Sequence, residues 1–236
     1  MTQPSLSSSR LAEANMKRWL HREELDKKIA VDENLERLGP YIVISRQIGA
    51  KGEEIASLLG EKLGWDLLDK EIMESIAKDR KVSEQLVEFV DEKHVTWLTE
   101  LFEAWIEGQD FCQEGYVHDL SKLLMIAAQH GNFVMVGRGS QFILPREFGL
   151  FVRLHAPVKT RVANVIVSHK LSEKKAKKLV KKTDQERGEF LKTYFRNDGT
   201  EPSLYDIVID TSRFTEDSIA KLIQNALESR ISQLNK

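Results

Sequence analysis

The sequence is poor in the residues that define several protein classes. It has one cysteine, Cys112, so no intramolecular disulfide can form, and a lone thiol without CxxC or HxH spacing makes no zinc site; a reducing, cytoplasmic setting is expected. With 5 prolines and 13 glycines in 236 residues, the chain is neither collagen-like nor low-complexity. Long apolar runs are missing too: stretches such as Leu123–Ala128 fall far short of the roughly 20 residues a bilayer-crossing helix needs. The opening MTQPSLSSSRLAEANMKRW has no apolar signal core, so neither a cleaved export signal nor a membrane partner is expected. A net charge of −2 removes the global basic field that would recruit nucleic acid, and no nucleic-acid partner is expected.

What is present suits a globular domain, with 41% hydrophobic and 31% charged residues. Charge is unevenly placed. From Glu84 to Glu114 nine acids stand against Lys93 alone, and from Lys170 to Lys192 nine bases stand against four acids. Such runs ordinarily form solvated helix faces. The basic run also fits a segment that closes over a polyanion such as a nucleoside triphosphate.

Along the chain, Arg10–Leu38 reads as one or two amphipathic helices, giving a helical extension over residues 1–39 that ends at Gly39-Pro40. Continuous β-branched and aromatic runs at Tyr41–Ser45, Phe133–Val136, Phe151–His155 and Ile207–Ile209 read as buried parallel strands, and Trp65–Leu68 as a short one. Helix-period stretches separate them: Glu53–Leu63, Lys70–Lys78, Ser83–Asp91, His94–Trp105, Tyr116–His130, the basic run, and Glu216–Leu234 behind a Thr215 cap. This alternation predicts an α/β fold, a three-layer parallel sheet with helices on both faces over residues 40–236. An acidic helical insertion at 83–130 and a lid-like basic segment at 157–200 would interrupt it.

Four places carry chemistry. The loop after the first strand, Arg46-Gln47-Ile48-Gly49-Ala50-Lys51-Gly52-Glu53, sits where phosphate binds in doubly wound folds, because backbone N–H groups at a helix N-terminus face an anion there. It does not satisfy GxxxxGK[ST]: Gly52 and Glu53 stand at the lysine and hydroxyl positions. Next, Gly137-Arg138-Gly139-Ser140 sets an arginine at the end of a buried strand. Arg161 and the Asp184/Arg187 pair follow, the pair three apart on one helix face and within reach of one ligand. The last is Tyr205-Asp206-Ile207-Val208-Ile209-Asp210-Thr211-Ser212. His94, His118, His130 and His155 lack metal-ligand spacing, and Ser45, Ser140 and Ser212 lack a triad partner. Trp97, Phe102, Trp105 and Phe111 suit a core or a homodimer face.

Taken in order, these segments resemble the cytidylate kinase-like family of P-loop nucleoside monophosphate kinases. The residues that carry the resemblance are ISRQIGAKGEEIASLLGEKLG at 44–64, Asp69-Lys70-Glu71, VGRG at 136–139, His155-Ala156-Pro157, Arg161, TDQER at 183–187 and YDIVIDTS at 205–212. The resemblance implies a P-loop kinase fold and transfer of the γ-phosphoryl group of ATP, with Mg²⁺, onto a nucleoside monophosphate, CMP or dCMP. It implies that Arg138 holds the acceptor phosphate, that Asp69, Asp184 and Arg187 help bind the acceptor, and that Arg161 and Arg187 act near the transferring group. Arginine suits this work, since phosphoryl transfer asks mainly for positioning and charge neutralisation.

The loop departs from that pattern, and losing one preorganised donor typically costs roughly 2.7–4 kcal/mol of transition-state stabilisation. Lys51 or Arg46 is expected to supply the missing charge, and Glu53 to ligate Mg²⁺, with Gly49, Ala50 and Gly52 shaping the phosphate loop. Two other functions fit the same residues: a nucleotide-binding regulatory or interaction protein that kept the fold without the catalysis, and a kinase of a non-nucleotide acceptor.

Overall fold

Alternation of side chains along each strand decides the layers. The computed structural model describes residues 39–69, 116–137 and 139–234. In β1 (Tyr41–Arg46), Tyr41 and Val43 face one side and Ile42 and Ile44 the other, and all four are fully buried. A strand apolar on both faces must be covered on both, which is the condition of a parallel sheet.

Helix α1 (Gly52–Leu63) follows, then β2 (Asp66–Leu68), α2 (Tyr116–His130) and β3 (Phe133–Val136). Next come β4 (Gly149–His155), α3 (Val158–His169), α4 (Glu173–Phe195), β5 (Ile207–Asp210) and α5 (Glu216–Leu234). The five strands form one parallel sheet in the order β2-β3-β1-β4-β5. This is the expected α/β fold of P-loop kinase type.

On one face, Ile55, Ala56 and Leu59 of α1 and Ile219, Ile223 and Leu227 of α5 pack on Ile42, Ile44, Val134 and Val152. On the other, α2 with Leu123–Ala128, the turn residues Ile143 and Leu144, and Phe195 at the end of α4 cover Tyr41, Val43, Phe133 and Phe151. A smaller third cluster joins α3 and α4 through Val162, Val165, Ala176 and Val180.

Several elements run longer than their apolar runs. β4 begins at Gly149 because Gly149 and Leu150 pair with Tyr41 and Ile42, and a side chain at 149 would overlap the Tyr41 ring. The basic run forms one helix with the TDQER segment, since α4 continues to Phe195. The N-terminal extension, the helical segments expected between Lys70 and Trp105, their aromatic residues and Arg138 lie outside the described residues. No described helix is long and apolar enough to cross a membrane.

Candidate functional site

The strand order creates a crevice. From β1 the chain passes to α1 on one face, and from β3 it passes to a turn at Ser140–Phe142 whose neighbours pack on the other. Two adjacent strands whose connections leave to opposite faces open a gap at their carboxyl ends, where open α/β sheets bind ligands. A cavity of about 340 Å³ lies there, walled by Ser45 and Arg46 of β1, Gly137 and Gln141 after β3, and Arg187 and Phe190 of α4.

Arg46 ends β1 and its side chain is only 13% exposed. Two glycines make room for it. A Cβ at Gly52 would lie 2.6 Å from Arg46 Cγ, and one at Gly137, where φ is +83°, would overlap Arg46 Nη1. The glycine at the usual lysine position therefore belongs to the slot through which Arg46 passes. Arg46 Nε and Nη2 meet Glu53 Oε1 at 3.0 and 2.9 Å.

Arg187 completes the cluster. Its Nη1 donates to the Arg46 carbonyl at 3.1 Å, and its Nη2 lies 3.7 Å from Glu53 Oε1. Crowding by protein would push the Glu53 carboxyl up, but the charges of Arg46 and Arg187, with hydrogen bonds from Arg46 and from its own backbone N–H, hold it below the usual carboxylate range. With 54% of its side chain open to solvent, the guanidinium charges outweigh desolvation. The Glu53 carboxylate thus stands at the first turn of α1 between two guanidiniums, a set of donors whose chemistry suits oxyanions.

The rest of the loop is held from below by α3. Asn164 Nδ2 donates to the Gly49 carbonyl at 2.8 Å and Arg161 Nη1 to the Ile48 carbonyl at 3.4 Å, while Ile48 packs into the α3–α4 cluster. Gly49, with φ at +75°, passes so close to α3 that a Cβ would lie 2.5 Å from the Arg161 carbonyl oxygen. The buried Arg161 side chain also donates from Nε to Ala156 O at 3.0 Å and from Nη1 to Asp184 Oδ2 at 2.6 Å. One guanidinium thus ties the loop, the end of β4 and α4 together.

The structure brings Arg46, Glu53 and Arg187 into one cluster. Asp184 and Arg187, expected to reach one ligand, engage different partners: Asp184 turns to Arg161, and Arg187 to Arg46 and Glu53. Arg161 is a buried tie beneath the loop and does not line the cavity. Ala50 is fully buried. Lys51, left-handed at φ +57°, pairs through Nζ with Glu216 of α5 and also lies off the cavity. Asp69 follows β2, on the far side of β3 from β1.

Among the described residues, no group of three or more His, Cys, Asp or Glu side chains is placed to hold a metal. Sequence reading missed Gln141, Glu186 and Phe190 as cavity residues. Gln141, just past the carboxyl end of β3, was open to the same positional rule that singled out Arg138.

Several known proteins are similar to this chain in sequence or in fold. A cytidylate kinase from Methanopyrus kandleri is 26% identical over 111 residues, which are 43% of this chain and 58% of that protein. The chain thus matches little more than half the length of that relative. An uncharacterized protein from Eubacterium ventriosum has a crystal structure that superposes with a TM-score of 0.56 at 20% identity, over 80% of this chain and 98% of its own. A shikimate kinase from Acinetobacter baumannii, in complex with shikimate, gives a TM-score of 0.41 at 15% identity, over 81% and 94%. The sequence pattern of the cytidylate kinase-like family matches residues 41–213, from the first residue of β1 through the turn after β5. That span takes in the phosphate loop, Arg161 and Arg187 alike, and the chain belongs to the cytidylate kinase-like family.

Proposed function

We propose that the protein is a phosphotransferase of the nucleoside monophosphate kinase type, moving the γ-phosphoryl group of ATP onto CMP or dCMP. The observation that carries this reading is the pair of guanidiniums, Arg46 and Arg187, lining the crevice beside the α1 N-terminus with a carboxylate already between them. Phosphate oxygens fit the same donors better than one carboxylate does, because a phosphate offers more oxygens and more negative charge to share between two forked guanidiniums.

Arg46 takes the part that the lysine plays in other phosphate loops, and Lys51 stays with Glu216. Arg187 reaches the cavity from α4 and neutralises charge on the transferring group or the acceptor phosphate. Arg161, Asn164 and Asp184 act one step back, holding the loop and α4 in register, and Arg138 after β3 binds the acceptor phosphate. Phe190 and Leu191 give the cavity an apolar wall for the base.

In this reading Mg²⁺ screens the phosphates of bound ATP, as it does in phosphoryl transfer generally. The Glu53 carboxylate fits a metal poorly while two guanidiniums hold it, so it is assigned here as the anion that bound phosphate replaces.

Coupled detection of ADP across CMP, dCMP, UMP and AMP tests the reading. Turnover above the ATPase background with CMP or dCMP is expected, together with its loss in Arg46→Ala. The departures at Gly52 and Glu53 favour a second reading, a nucleotide-binding regulatory protein. ATP binding without turnover on any acceptor would select it.

A further inference from the structure

Gln141 lines the cavity outside the phosphate-handling cluster of Arg46, Glu53 and Arg187. It sits in the short turn Ser140–Phe142 after β3, is 7% exposed, and lines the cavity together with Leu191 and Phe190. A buried side-chain amide presents either its NH₂ or its carbonyl to a ligand, and its neighbours decide which.

Here the neighbours decide it fully. The Tyr205 hydroxyl donates its one proton to the Gly199 carbonyl at 2.8 Å. Its oxygen accepts from Arg153 Nη1 at 3.2 Å, and a guanidinium can only donate. The remaining lone pair of Tyr205 faces Gln141 at 3.4 Å, so Gln141 must turn its NH₂ that way. Arg153, which also donates to Gly199 and lies 5.5 Å over the Tyr205 ring, fixes the tyrosine itself. Gln141 Oε1 accepts from no described residue and is left for the cavity.

We propose that Gln141 is a specificity-determining residue whose side-chain carbonyl, oriented by Tyr205, selects a phosphoryl acceptor with an amino-bearing base over one that presents a carbonyl at that position. Cytosine and adenine carry such an amino group. Uracil sets an oxygen against an oxygen. A cavity acceptor left without its donor weakens binding of the wrong base by about tenfold for one neutral hydrogen bond. The inference rests on the nucleoside monophosphate kinase reading for its ligand class.

The test compares CMP with UMP, by ADP formation and by equilibrium titration calorimetry, in the wild type and in two variants. Gln141→Leu removes the acceptor. Tyr205→Phe keeps Gln141 but frees its amide to turn over, without altering any group that lines the cavity. The expected result is a wild-type preference for CMP that falls about tenfold towards parity in both variants, carried by KM and Kd with little change in kcat. An unchanged CMP-to-UMP ratio in both variants, or a wild type that prefers UMP, overturns the proposal. Calorimetry separates the two failures. Loss of CMP preference in binding with no turnover anywhere sinks the kinase reading and supports the role of Gln141; full turnover with the wild-type ratio in Gln141→Leu does the reverse.

Discussion

The sheet and the corner beneath the phosphate loop are held by different physics. In the sheet, Ile42, Ile44, Val134 and Val152 share one apolar cluster with α1 and α5, and each makes a non-directional contribution that its neighbours partly duplicate. In the corner, four buried apolar side chains, with Ile48, Ile166, Leu171 and Leu179 packed against them, supply a smaller core, and the loop's path depends on single directed bonds from Arg161 and Asn164. Redundant burial absorbs a substitution, whereas a directed bond has no understudy. Stability is therefore concentrated in the sheet, and the geometry on which the proposed phosphate site depends in the corner.

The sharpest break of this comparison pairs Arg161→Met with Ile44→Val. Removing the guanidinium strands the Asp184 carboxylate, 30% exposed, and leaves the Ala156 and Ile48 carbonyls without their donor. Breaking a buried ion pair in this way typically costs about 3–5 kcal/mol, and the open side of Asp184 puts the expectation near the lower figure. ATP binding should vanish with it, because the loop loses its support. Ile44→Val should lose about 1 kcal/mol in denaturant unfolding and keep wild-type nucleotide affinity. Equal binding losses in the two proteins would erase the distinction.

Next in size is Arg46→Ala, expected to lower turnover by about 10²–10³-fold. Stability should change far less, since the pair it breaks has a partner 54% exposed. Gly52→Ala sharpens the point without touching a charge. Its new Cβ would press on Arg46 Cγ and push the side chain out of its slot, so turnover should fall while helix propensity at the start of α1 improves. Wild-type turnover in Gly52→Ala would detach Arg46 from the chemistry.

The same division explains what the sequence discloses. Strands such as YIVIS and FVMV announce themselves because being apolar on both faces is a local property, and α5 falls at its expected Glu216–Leu234. Gly149 was beyond local reading, since its place in β4 comes from pairing with Tyr41. The connection from β1 to α1 was legible by position, as a strand-to-helix turn with glycines. The pairings inside the site were not: Arg161 with Asp184, Arg46 with Glu53 and Arg187, and Gln141 with Tyr205 join residues from separate elements, and only the fold sets which pairs meet. The i,i+3 spacing of Asp184 and Arg187 puts them on one face without saying that Arg161 lies under one and Glu53 beside the other.

A smaller effect separates the two uses of Glu53. Its carboxyl titrates below the usual range in the folded protein, so the stability it contributes is fully present above the unfolded pKa of about 4.3 and is lost as pH falls through the lower folded value. The stability gap between wild type and Glu53→Gln should be largest above about pH 5, stay under about 1 kcal/mol because the group is half open, and close in acid. Near neutral pH, Glu53→Gln should bind inorganic phosphate and ATP severalfold more tightly, since both guanidiniums are released. Weaker binding would show that the carboxylate helps to hold the nucleotide.

The least effect is expected at Lys51, and that small size is itself informative. Lys51 and Glu216 are each more than one-third exposed, and a hydrogen bond from Lys51 holds the Glu216 carboxyl below the usual range, so removing the pair should cost under about 1 kcal/mol. Lys51→Gly also relieves a left-handed backbone that favours glycine, which offsets the lost pair and should leave stability close to wild type. Both Lys51→Ala and Lys51→Gly should keep nucleotide turnover within about twofold of wild type, because the cation points to α5 and away from the cavity. A hundredfold loss in either variant would move the substitute charge from Arg46 to Lys51, and it would mean that α5 releases Lys51 to the phosphates whenever nucleotide binds.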